Sequence, residues 1–256
     1  MANQMTRLTF LGTGTSQGVP VIGCKCEVCR SEDPMDKRLR SSVLFEDNGS
    51  TLLVDAGPDF RQQLLREGIS NLDAILLTHE HKDHTGGLDD IRAINYLKRK
   101  VVPVYCEKRV LVSLKKEYSY AFDDLRYPGA PDFDIRIIGN SLFKINETVI
   151  TPIRVYHYKL PVLGFRIGNI AYITDANYIP EDEFDKLTGL DVLVINTVRR
   201  ERHISHFSLD EALAVARRTS AKMCYLTHLS HQIGKHSDLA DSLPAGVMPA
   251  YDGLKI

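Results

Sequence analysis

The stretch that most constrains this chain is Thr78-His79-Glu80-His81-Lys82-Asp83-His84-Thr85-Gly86-Gly87, placed directly after the apolar run Ala74–Leu77. In an extended segment residues two apart point the same way, so His79 and His81 can grip one metal ion. The chain then turns towards a helix, which brings Asp83 and His84 to a second ion beside the first. Imidazole and carboxylate ligands suit Zn, Mn or Fe and discriminate weakly among them. A run of this order is far more specific than any single His.

Apolar, β-branched runs recur along the chain at Leu8–Leu11, Ser42–Phe45, Thr51–Val54, Ala74–Leu77, Val102–Tyr105, Ile135–Ile138, Thr148–Val155, Ile170–Thr174, Val192–Asn196 and Met223–Thr227. Their length and composition predict strands. Helical spacing predicts helices over Phe60–Glu67, Gly87–Lys98, Lys108–Tyr118, Glu181–Leu187 and Leu209–Thr219, the last with Ser208 as N-cap and Glu211 three residues on. No repeat, low-complexity segment or flexible linker divides residues 1–256, which predicts one α/β domain. The stretch Tyr118–Phe133 fits neither period and is either an inserted lid or a plain surface connection.

Three further candidate ligands follow β runs: His157 after Thr151–Val155, Asp175 after Ile170–Thr174, and His228 after Met223–Thr227. Strand ends on one rim of a sheet are neighbours in space, so these can converge on the first cluster, with Asp175 as the natural bridging carboxylate. Asp55 also ends a strand and is expected to orient a ligand His through the ring nitrogen that faces away from the metal, unless it is a simple turn residue.

Cys24, Cys26 and Cys29 form a second constellation, C-x-C-x-x-C. In a reducing compartment three such thiols and one imidazole complete a closed tetrahedral zinc site, and His231 is assigned as the fourth ligand; a redox trio or a chance cluster is the alternative. Cys106 and Cys224 lie in or beside strand runs and are expected in the core. A third segment, Asn196–Ser208, carries Arg199, Arg200, Arg202, His203 and His206 after a strand. It could surround a phosphate ester with cations and supply a proton donor, or be a solvated basic loop. Gly12, Gly14 and Gly18 lack the following helix that a dinucleotide fingerprint needs and are expected to make turns near the site rim.

The 32 Lys and Arg against 33 Asp and Glu argue against a broad nucleic-acid or membrane-surface footprint. No apolar run nears the roughly 20 residues of a membrane span. Met1–Arg7 lacks the features of a signal peptide, so a cytoplasmic protein is expected.

The H-x-H-x-D-H run, with a later His, Asp and His at strand ends, resembles the metallo-β-lactamase superfamily of binuclear metallohydrolases over nearly the whole chain. The resemblance implies a four-layer αββα sandwich with two divalent ions at one edge. His79, His81 and His157 would hold one, Asp83, His84 and His228 the other, and Asp175 would bridge them. With the Cys loop, the chain is similar to the PhnP-type cyclic-phosphate phosphodiesterases, which carry a structural zinc beside the binuclear site. His206 resembles the extra His of PhnP-like and ribonuclease Z-like enzymes, which implies general acid catalysis or phosphate contact. Asp83 and Asp175 would orient the nucleophile.

The expected activity is hydrolysis of a small cyclic phosphate or nucleotide-like diester by a possible homodimer. Rivals are hydrolysis of an ester, lactone or thioester, a PqqB-like role, a ribonuclease Z-like nuclease without a long basic arm to hold RNA, and a metal-binding module without catalysis.

Overall fold

In a computed structural model describing residues 6–125 and 127–256, two sheets form the centre of the molecule. The first contains β1 (Arg7–Gly12), β2 (Ser42–Asp47), β3 (Ser50–Val54), β4 (Ala74–Leu76), β5 (Val102–Cys106) and β6 (Phe133–Ile137), in that spatial order. The second contains β7 (Phe143–Ile145), β8 (Thr148–His157), β9 (Leu160–Ile167), β10 (Ile170–Ile173), β11 (Val192–Asn196), β12 (Met223–Thr227) and β13 (Val247–Pro249), again in order. Each sheet opens with antiparallel strands and continues with parallel ones: β3 to β6 in the first, β10 to β13 in the second.

The period of two along each strand decides the layers. Leu52, Val54, Ala74 and Leu76 face Leu163, Phe165, Tyr172 and Val194 of the other sheet in a shared core. The alternate residues Leu53 and Ile75 pack outwards against the helices Phe60–Glu67 and Lys108–Glu117. Leu193, Ile195 and Leu226 pack outwards against the helix Leu209–Thr219. A parallel strand covered on both faces has no polar side, which is why these runs are almost continuously apolar. The arrangement is the four-layer αββα sandwich.

The helix Leu209–Thr219 starts as expected, with the Ser208 backbone N–H donating to Glu211 Oε2 at 2.9 Å in a capping box. Other expectations are corrected. Gly87–Lys98 is a 3₁₀ turn, Leu88–Ile91, followed by an α-helix, Arg92–Lys98, and Glu181–Leu187 is 3₁₀ throughout. Strands β7, β9 and β13 were not expected. β9 contains Pro161 and Gly164, which mask its pattern; a Cβ on Gly164 would lie 2.8 Å from the Tyr172 carbonyl oxygen, so the neighbouring strand excludes a side chain there.

The segment Tyr118–Phe133 begins inside the first core, where Tyr118 and Ala121 are buried and Ser119–Phe122 forms one helical turn. Tyr118 Oη donates to the Thr85 carbonyl at 2.7 Å, beside the His-rich loop. Among the described residues no helix is long and apolar enough to cross a membrane.

The His-rich loop is held by backbone contact with the turn after β3. Ala56 N–H donates to the His84 carbonyl at 2.8 Å, and Gly87 N–H donates to the Ala56 carbonyl at 2.9 Å. A Cβ on Gly87 would lie 2.0 Å from the Gly57 oxygen, so the two turns approach too closely for any side chain. Gly87→Ala should therefore lower the unfolding free energy by about 2 kcal/mol or more in urea titrations, at the upper end of typical overpacking costs. An unchanged midpoint would show that this contact does not set the loop.

Candidate metal centre

Each sheet delivers its candidate ligands from strand ends on one rim. His79 and His81 follow β4, and Asp83 and His84 lie in the short helix Lys82–Thr85. From the second sheet come His157 at the end of β8, Asp175 two residues after β10, and His228 directly after β12. Asp55, Asp175 and His228 all adopt left-handed φ, at 64°, 53° and 57°. Such backbone is uncommon for residues other than Gly, and here it turns three strand-end side chains out of the β alternation into one place.

Asp175 is the hub of three ligand groups. It lies within 4.8 Å of the ligand atoms of His79 and His84, of His81 and His157, and of His206 and His228. Its carboxylate is 3.1 Å from His84 Nε2, 3.2 Å from His228 Nδ1 and 3.9 Å from His79 Nε2. Asp83 joins through His84, with Oδ2 3.2 Å from His84 Nε2. The sequence-predicted ligands of the rim are thus brought together, and His206 joins them, with a ring nitrogen within 4.8 Å of the ligand atoms of Asp175 and His228.

The ring nitrogens facing away from the centre are fixed by partners. His84 Nδ1 pairs with Asp55 Oδ2 at 2.6 Å, and His157 Nδ1 donates to the Ser205 carbonyl at 2.8 Å. His79 Nδ1 lies 2.9 Å from Thr78 Oγ1, which reaches both Asp55 oxygens at 3.1 and 2.9 Å. Asp55 therefore orients His84 directly and His79 through Thr78, as metal-ligating imidazoles require. His228 differs, because the Nδ1 that faces Asp175 is also the one 3.1 Å from Ser41 Oγ, whose hydroxyl lies 2.9 Å from the Gly14 carbonyl.

Sequence reasoning assigned Asp55 but missed Thr78, Ser41 and the Ser205 carbonyl. Thr78 adjoins the His run and was visible in principle; the other two are set by chain folding. The glycine-rich turn does reach the rim, since Gly14 forms β-bridges with Arg40 and Leu229.

The electrostatics ask for cations. Burial would strip the proton from His84, but Asp175, Asp55 and Asp83 outweigh it and hold the imidazole protonated well above its ordinary range. Burial would likewise neutralise Asp175, yet His228 and His84 keep it ionised. Burial pushes the proton off His79 and His228. The result is a nest of buried carboxylates faced by the neutral rings of His79 and His228 and by the protonated ring of His84, and among the described residues the Nε2 atoms of His79 and His84 have no hydrogen-bond partner. Orphaned imidazole nitrogens converging on a carboxylate fit divalent-metal ligation.

In the basic segment, burial lowers the His206 pKa to about 3, and its Nδ1 is buried without a partner. The His203 ring lies tilted against His206 with centroids 5.1 Å apart, and Arg199 contacts Gln232 and the Arg202 carbonyl. Arg200 engages Ser242, and Arg202 approaches Glu211 at 3.8 Å.

Cys24, Cys26, Cys29 and His231 gather at a second place, with His231 Nδ1 3.3 Å from the sulfurs of both Cys24 and Cys26. A hydrogen bond from the Cys29 N–H and the His231 ring lower the Cys26 thiol to about 6, which favours a thiolate ligand at neutral pH. Cys106 and Cys224 are buried in the two outer cores, each pushed up to about 12 by burial, and stand apart from this group.

Residues 50–229 match the β-lactamase superfamily domain, and the chain belongs to that superfamily. Within it the chain is PhnP-like: it is 38% identical to the crystal structure of a diphosphatase from the PhnP family, with TM-score 0.92 over 98% of this chain and 96% of that one. The zinc-bound PqqB of Methylobacterium extorquens shares the fold at TM-score 0.81 and 19% identity, covering 98% and 99% of the two chains. An octanoyltransferase of Porphyromonas gingivalis is 41% identical over 252 residues, which are 97% of this chain and 51% of that protein. The chain thus spans about half the length of this curated relative.

Replacing Asp55 with Asn should weaken divalent-metal binding by about 10–100-fold, the usual effect of removing such a partner, as measured by competition with a chelating dye. Unchanged affinity would mean that Asp55 supports only the turn.

Proposed function

We propose that the protein is a binuclear metal-dependent hydrolase of phosphoric diesters, acting on a small cyclic phosphate or nucleotide-like diester. The observation that carries this reading is the sharing of Asp175 by three ligand groups, with His206 beside it and without a hydrogen bond at Nδ1. The 38% identity to a PhnP-family diphosphatase supports phosphoryl chemistry. His79, His81 and His157 would hold one ion and Asp83, His84 and His228 the other, with Asp175 between. Zn, Mn and Fe all suit these ligands, and Cys24, Cys26, Cys29 and His231 would hold a structural Zn.

Two divalent ions in such a site supply Lewis acidity, neutralising phosphoryl oxygens and activating water near neutral pH. The chain's own groups do the rest. Asp83 and Asp175 accept hydrogen bonds from the attacking water and so aim it in line with the leaving oxygen. His206, held neutral by burial and by neighbouring imidazoles, offers an N–H to the phosphate; with substrate charge beside it the ring takes a proton from solvent and passes it to the leaving oxygen, while solvent accepts the proton of the attacking water. Near-neutral net charge and the absence of a long basic arm favour a small molecule over RNA.

With Zn or Mn supplied, the protein should hydrolyse bis(p-nitrophenyl) phosphate, and His206→Ala should lower kcat by about 10²–10⁴ with metal content unchanged. No turnover of any diester would sink the reading; loss of metal in the variant would make His206 a ligand instead. A second reading, hydrolysis of an acyl ester or thioester, draws on the octanoyltransferase relative, and an octanoyl thioester in the same assay tests it. Metal analysis of the purified protein should give close to three ions per chain, falling to about two in Cys24→Ser. Two in both forms would remove the Cys site.

A further inference from the structure

Beside the cluster lies an open depression of about 540 Å³ that shares His81 and His157 with it and is lined further by Tyr158, Lys159, Leu160, Ile204 and Ser205. His157 pairs with Leu160, so Tyr158 and Lys159 are the whole turn between β8 and β9. Tyr158 sits there at φ 58°. Two-residue hairpins place Gly or Asn at such positions, because a bulky side chain is strained by left-handed backbone.

The strained turn is fastened by Asn177. Its Oδ1 accepts the Tyr158 N–H at 2.7 Å, and its Nδ2 donates to the Ile204 carbonyl at 3.2 Å, so one amide joins both walls of the depression. Those walls present apolar surface to solvent, Tyr158 at 54% and Ile204 at 71% exposure. Lys159 Nζ lies 5.4 Å from the Tyr158 ring centroid, which places a cation at the same mouth.

Strain is retained where a side chain has a use that outweighs it. An aromatic face, an aliphatic wall and a lysine, adjoining ligands of a centre suited to phosphate, match a planar ring carried by an anion. We propose that this cleft is the subsite for the nucleobase, or an equivalent aromatic ring, of a phosphoester whose phosphate lies at the cluster. Tyr158 stacks on the ring, Ile204 covers its far side, and Lys159 meets an outer oxygen. The proposal rests on the phosphoesterase reading and names its substrate class. An octanoyl chain suits the cleft less well, since walls this exposed would leave most of its methylenes in water.

Calorimetry on the metal-loaded protein with AMP and with ribose 5-phosphate tests it. AMP should bind about tenfold more tightly, the low end of what one base–aromatic stack supplies. Tyr158→Ala should erase that advantage and Tyr158→Phe should keep it. Tyr158→Asn, which suits the left-handed backbone, should erase it while Tm stays equal or rises, a pairing that a structural tyrosine would not give. Equal binding of the two ligands, an advantage that survives in Tyr158→Ala, or tighter binding of octyl phosphate than of AMP would overturn the subsite. Ring preference without diester hydrolysis would keep the subsite and remove the phosphodiesterase, and hydrolysis without ring preference would do the reverse.

Discussion

A carboxylate that is almost fully buried sits where the two sheets meet, and the site is arranged around the cost of keeping it ionised. Burial of an isolated charge is unfavourable by far more than one hydrogen bond returns, so Asp175 requires positive charge on several sides. In the protein alone the protonated His84 supplies it, at 3.1 Å, while His228 Nδ1 stands 3.2 Å away on another side. Asp55 and Asp83 raise the local negative charge further instead of relieving it, and that excess distinguishes a place made for divalent ions from a buried ion pair that closes on itself.

The same constraint explains the backbone. Three residues on the rim, Asp55, Asp175 and His228, leave their strands in the left-handed conformation. A strand continued in regular geometry would send these side chains to one face or the other of its sheet. The turn at each end instead lifts them over the rim, where strands from both sheets can contribute to a single centre. Close packing of Gly57 and Gly87 then locks the His-rich loop against the turn that carries Asp55, so that orientation of His84 and His79 is shared through one carboxylate.

How much of this was legible depended on whether the signal was local. The His79–His84 run, the thiol loop and the capping box at Ser208 and Glu211 are encoded within a few residues, and each lies in the structure where its spacing placed it. Strand β9 was invisible because Pro161 and Gly164 break its pattern, and Gly164 is there for the carbonyl of Tyr172, which lies next to it only after folding. The short strands β7 and β13 have three residues each, and Lys144 and Pro249 leave neither with the unbroken apolar run that marks the equally short β4. Tyr158 gave no signal at all: a tyrosine before a lysine becomes notable only once β8 and β9 are paired around them.

The sequence by itself determined the chemistry available: which ligand types exist, that the His and Asp candidates follow strands, and that the thiol loop is separate from the His-rich run. Tertiary structure decided the geometry among them. Asp175 became the common member of three ligand groups, His206 came as close as a ligand, and Ser41, Ser205 and Asn177 acquired roles through partners that are 187, 48 and 19 residues away in Ser41–His228, Ser205–His157 and Asn177–Tyr158. The physical reason is the range of each signal. Ligand identity and strand period are properties of a few consecutive residues, whereas convergence on one rim depends on how two sheets stack and how their ends turn, which no short window contains.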